Sequence, residues 1–186
     1  MTFAFWLQGH VHRHDLAGYA VSQCAGALAG AAALRLVWSD RAASIQYGRT
    51  TPEAGMSAWT AVGIEAFMTG ILILTIFAFV SSSRTARWTP LAVLVVVALE
   101  VWAGAPFTGT SLNPARSLGP ALVAGRLSSL WVYWIGPLAA ALVATVAWAW
   151  IPRMVLTAKL FHDPAYRSTL GSWLPVRRSG RAGAEA

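Results

Sequence analysis

Four long apolar runs, at positions 17–38, 59–80, 88–105 and 130–151, constrain this chain more than any other feature. A helix crossing the hydrocarbon core of a bilayer needs about 20 mainly apolar residues. Three runs meet that length, and the third is marginal. All four are rich in Ala, Gly, Ser and Thr, the small residues that let helices approach closely inside a membrane. A soluble bundle can bury one such helix but hardly four, so the runs predict an all-α membrane protein. Composition agrees: 11% of the 186 residues are charged, where a soluble domain carries about 25%. The opening ten residues have no basic n-region and too short an apolar run to read as a signal peptide. The single Cys24 excludes an internal disulfide, and its small apolar neighbours predict a buried, unreactive thiol.

Cationic residues set the expected orientation. Counted along four spans, one side holds Arg13, Arg84, Arg87, Arg153, Lys159, Arg167, Arg177, Arg178 and Arg181. The other holds Arg35, Arg41, Arg49 and Arg126. Positive charge concentrates on the cytoplasmic side, so both termini and the 81–88 loop are expected there. Residues 1–151 then form the membrane domain, and 152–186 a basic cytoplasmic tail, partly disordered towards its end. The net charge of +7 reads as topology and attraction to anionic lipid. Nucleic acid is not an expected partner, because no basic platform interleaved with aromatics accompanies the charge.

Between the third and fourth runs the chain reads GTSLNPARSLGPAL, at 109–122. Asn113 suits a helix N-cap and Pro114 the first helical position, so a helix is expected to begin there. It extends about 11 residues, or about 16 Å at 1.5 Å per residue, which is half a bilayer. The preceding FTGTSL is irregular backbone, tolerated at membrane depth only where it lines a wet cavity or is buried in protein. A half-helix starting at the midplane aims its positive dipole end and free amides into that cavity. Arg116 adds a full charge, which costs about 2.5–3.5 kcal/mol at the centre of a membrane helix, so it is expected to face water. Donors, a dipole and a fixed cation together favour neutral, hydrogen-bonding solutes and repel cations.

At these residues the chain resembles a known family. SLNPARSLGPAL followed by WVYWIGPLAAAL is similar to the second half of an aquaporin, in the major intrinsic protein family. The resemblance implies an inverted-repeat helical bundle around a narrow pore, with six spans and two half-helices, each capped by Asn-Pro-Ala. It implies that Asn113, with Pro114 and Ala115, is the second pore-centre motif, and that Asn113 donates to passing water. Arg116 becomes the arginine of the selectivity constriction, Thr110 and Val101 two further constriction positions. The carbonyls of Gly109, Thr110 and Ser111 become the polar ladder of the pore. A homotetramer in the cell membrane (plasma or bacterial inner), with no cofactor and no metal, is the family expectation.

Subgroup positions favour water over glycerol. Ser117 and Ala121 stand where glycerol channels usually carry an aspartate and a basic residue, and Tyr133 with Trp134 matches the aromatic pair of water channels. Val101 points the other way, since strict water channels usually have histidine there. Its smaller side chain widens the constriction, so small neutral solutes are expected to pass as well.

An internal repeat is visible: Tyr19, Gln23, Gly26 and Ala27 mirror Tyr133, Pro137, Ala140 and Ala141. MTFAFW looks like the continuation of a first half-helix whose Asn-Pro-Ala lies upstream. The bundle is therefore expected to be incomplete, with four spans plus half-helices, lacking the first two spans and the first motif of the family.

Glu65, inside the second run with Thr69 one turn later, is expected to support the half-helix loop. Glu100 either braces FTGTSL or faces the interface. His10, His12 and His14 read as a solvated loop, and His162 as an ordinary tail residue. Three function classes follow: a passive channel for water and small neutral solutes, which requires the first half; a non-conducting homologue or packing subunit; and a glycerol-type facilitator. An intramembrane enzyme is disfavoured, because no second acid, nucleophile–base pair or metal set accompanies Glu65.

Overall fold

The computed structural model describes residues 1–151, apart from the side chain of Ser83. The 152–186 tail, with His162, lies outside the described residues. Helices run in the order α1 (Thr2–Leu7), α2 (Arg13–Val37), α3 (Ser39–Ser44), α4 (Ala58–Val80), α5 (Ser83–Ala86), α6 (Thr89–Thr108), α7 (Pro114–Val123) and α8 (Val132–Ala149), with a single turn at Gln46–Gly48 between α3 and α4. Among the described residues there is no strand.

The four apolar runs become α2, α4, α6 and α8, each long and apolar enough to cross a membrane. The marginal third run gains its length at the C-terminal end: α6 continues through Pro106 to Thr108, where Gly109 caps it at φ 75°. By length and composition these four helices give the chain a multi-pass membrane topology.

Packing follows the inverted repeat. The full-length span α4 lies between α8 and α6, while the short α7 lies on α2 and the shorter α1 on α8. Each half-helix therefore rests on the last span of the opposite half. Ala4 of α1 is buried with Ile73 and Phe77 of α4 and with Ala141, Ala144 and Trp148 of α8. Phe77 meets Phe5 edge-on at 5.4 Å between ring centroids and Trp148 at 5.6 Å. In a bilayer such contacts gain dispersion rather than transfer from water, so close backbone approach matters most. A Cβ on Gly119 of α7 would fall inside contact distance of the Ala27 carbonyl and 2.8 Å from the Leu28 nitrogen.

The repeat is unequal in burial. Tyr133 of α8 is buried, while its counterpart Tyr19 of α2 is 56% exposed. The reason is coverage: α8 is flanked by α4 and α1, whereas α2 meets α7 and short segments. For the same reason Cys24, expected buried, is only half-buried.

Candidate functional site

Local chemistry starts α7 where the sequence predicts. Asn113 takes an extended conformation, and its Oδ1 accepts the Ala115 amide at 3.0 Å, with Pro114 in the first turn. Among the described residues, the Asn113 Nδ2 amide makes no hydrogen bond within the protein. The helix ends at Val123, one residue short of the expected end. Ten residues span about 15 Å, about half the hydrocarbon thickness.

The backbone before it is strained. Gly109, Thr110 and Leu112 have φ of 75°, 46° and 58°. At Gly109 a side chain is disfavoured twice, by the strain of positive φ and because a Cβ would stand a tight 3.2 Å from the Thr50 Cα. Positive φ at the β-branched Thr110 is rare and costs of order 1–3 kcal/mol. Glu65 is what holds it. Fully buried on α4, its carboxylate accepts the Thr108 hydroxyl at 2.7 Å and the Ser111 and Leu112 amides at 2.9 Å each. Each charge-assisted bond contributes about 1.5–3 kcal/mol. The Tyr133 hydroxyl adds a bond to the Thr108 carbonyl at 2.7 Å. The carbonyls of Gly109, Thr110 and Ser111, the expected ladder, accept no hydrogen bond among the described residues.

Three hydroxyls fix the loop to its helix. Ser111 Oγ donates to the Asn113 carbonyl at 2.9 Å and so accepts from Ser117 Oγ. A hydroxyl has one proton, so Ser117 in turn accepts from Thr50 Oγ1 at 2.6 Å. Ser117, read from sequence as a subgroup marker, is thus a buried relay between the 46–50 segment and the loop.

That segment also holds Arg116. Its Nη1 donates to the Gly48 carbonyl at 2.6 Å, and no carboxylate pairs with it among the described residues. Arg49 donates from Nε to Gln46 Oε1 at 2.7 Å. Burial, and then Arg126, pull the Arg49 pKa below its ordinary value; a guanidinium nevertheless stays charged. Asn113, Ala115 and Arg116 line one open groove of about 510 Å³ with Gln23, Ala27 and Tyr47.

Other expected site residues are placed elsewhere. Val101 is not on this groove: it lines a separate apolar groove along α6 with Val97 and Trp102. Thr110 is buried, and its hydroxyl donates to the Glu100 carbonyl at 3.2 Å. Glu100 holds the loop through that carbonyl, while its carboxylate is buried with no hydrogen bond among the described residues. The Thr69 hydroxyl is likewise buried, with no hydrogen-bond partner among the described residues. Ala121 is buried and Trp134 39% exposed. His12 and His14 stack at 5.4 Å.

The model of the major intrinsic protein family matches residues 1–148. The chain belongs to that family. It is 37% identical over 180 residues to a probable aquaporin PIP2-8 of Oryza sativa subsp. japonica, covering 90% of this chain and 64% of the relative. It is 33% identical over 164 residues to aquaporin-4 of Mus musculus, covering 85% and 50%. It is 33% identical over 151 residues to aquaporin-6 of Rattus norvegicus, covering 81% and 54%. The chain thus spans between half and two thirds of the length of these relatives. The family match joins the α7 cap, the Glu65 brace and the α1–α8 and α2–α7 pairs into one inverted-repeat architecture.

Proposed function

We propose that this chain supplies the second half, and part of the first, of a passive channel for water and small neutral solutes. The observation that carries the reading is convergence. The capped start of α7 and the Arg116 guanidinium line one groove, and the Gly48 carbonyl fixes the arginine there. Amide donors at Asn113 offer hydrogen bonds to water, while Arg116 with the positive end of α7 repels cations. Relatives bearing the name aquaporin support the same reading.

The test is stopped-flow light scattering on vesicles. One set holds this chain, and another holds it joined to the two spans and Asn-Pro-Ala half-helix of the rice relative's first half. Fast osmotic shrinkage is expected from the joined protein. A folded but silent joined protein would sink the reading. In that protein, Arg116→Ala opens the mouth and removes its fixed charge. Glycerol passage relative to water is expected to rise about tenfold, the order that one pocket contact supplies, with a cation leak alongside. Unchanged selectivity would remove Arg116 from the path.

We place both termini and the 81–88 loop on the cytoplasmic side of the cell membrane, with the 39–58 loop outside, and four copies in the assembly. Cysteines introduced at Ser44 and Arg84 test the orientation with an impermeant thiol reagent. Labelling of the first alone on intact cells is expected, and the reverse pattern would invert the topology.

A further inference from the structure

Three consecutive residues just outside α7 share the left-handed backbone region: Gln46 (φ 49°), Tyr47 (φ 58°) and Gly48 (φ 79°). Only glycine adopts this region freely, and a bulky aromatic there is an outlier. Strain of this kind persists only where the surroundings over-determine it, and here they do. The Gly48 amide bonds the Ile45 carbonyl and the Arg49 amide the Gln46 carbonyl, both at 3.0 Å. Gln46 Oε1 accepts from Arg49 at 2.7 Å, and the Gly48 carbonyl accepts from Arg116 at 2.6 Å. The turn seats Arg116 through Gly48, a task that needs no ring at position 47. Nevertheless Tyr47 lies on the groove with Gln23, Asn113 and Arg116, and Val101, expected to shape a constriction, lies on a different one.

We infer that Tyr47 is a specificity-determining residue, a wall of the groove entrance that admits water and holds back larger neutral solutes such as urea and glycerol. The inference rests on the channel reading above. Its bulk lies beside Arg116, so the cation excludes by charge and the ring by size, the two quantities that set selectivity in a narrow aqueous path.

The informative variant is Tyr47→Gly, because glycine takes the left-handed turn without strain and leaves the Gly48 carbonyl on Arg116. Water, urea and glycerol permeabilities are measured by stopped flow in vesicles holding the full chain, alone and joined to the rice first half, beside Tyr47→Phe. Tyr47→Gly is expected to raise the urea-to-water ratio about tenfold, the order of one lost pocket contact, with an unchanged or higher melting temperature. Tyr47→Phe keeps the wild-type ratio. A conducting wild type whose ratio is the same in Tyr47→Gly overturns this inference alone. A raised ratio with a lowered melting temperature assigns the ring a structural role and overturns it too. A wild type silent in both forms overturns the channel reading, and this inference with it.

Discussion

Glu65→Leu is expected to cost about 4 kcal/mol or more, from the buried Ser111 amide, the half-buried Leu112 amide and the buried Thr108 hydroxyl losing a charged acceptor at about 1–3 kcal/mol each. Nothing else among the described residues accepts the Ser111 and Leu112 amides. Both flank or carry the positive φ that the carboxylate holds in place. Apolar packing will not compensate, since lipid tails solvate a leucine as well as a protein interior does. Glu65→Gln keeps one acceptor oxygen, enough for Thr108 and Ser111, but turns an amide donor towards Leu112. The expected order of melting temperature in detergent is wild type, then Gln, then Leu, with protease cleavage at 108–113 following the reverse order. Equal melting of Leu and wild type would show that the loop stands without its brace.

Gly119→Ala is the second large effect. The added methyl meets the Ala27 carbonyl and the Leu28 nitrogen, which are backbone atoms, so no rotamer change relieves it. Overpacking of this kind costs about 1–3 kcal/mol, occasionally more. Here α7 must lift from α2, carrying Asn113 and Arg116 with it and breaking the bond to Gly48. Lowered stability is expected together with loss of water flux in the joined protein. Gly63→Ala is the control: a Cβ there meets nothing within 4 Å, so it should behave as wild type. If the two alanine variants melt alike, the close α2–α7 contact is wrong.

Much of this architecture was legible in the chain because its signals are local. A run of twenty apolar residues has one solution in lipid, and Asn113 followed by Pro114 specifies a helix start wherever it falls. MTFAFW was readable as a half-helix by likeness, and α1 occupies it. The 46–50 clamp was not legible. Thr50 reaches Ser117 across 67 positions and Gly48 reaches Arg116 across 68, and no periodicity or spacing encodes such a contact. The left-handed Tyr47 and Thr110 gave no signal either, since neither is a residue type that advertises positive φ. The groove that Val101 faces was not legible for a related reason: a position counted back along α6 fixes a depth, but not which groove the helix turns it towards.

The pairing of α1 with α8 also imposes a schedule on the ribosome. Leu7 ends α1 and Val132 begins α8, so 124 residues separate a short helix from the span it rests on. At about 5–20 residues per second, roughly 6 to 25 seconds pass between their syntheses. During that interval Ala4 and Phe5 have no α8 to lie against. α7 has no such wait, because α2 precedes it. Of the two half-helices, the one made first is thus the one that waits for the span it rests on, with only Ile73 and Phe77 of α4 to meet in the meantime.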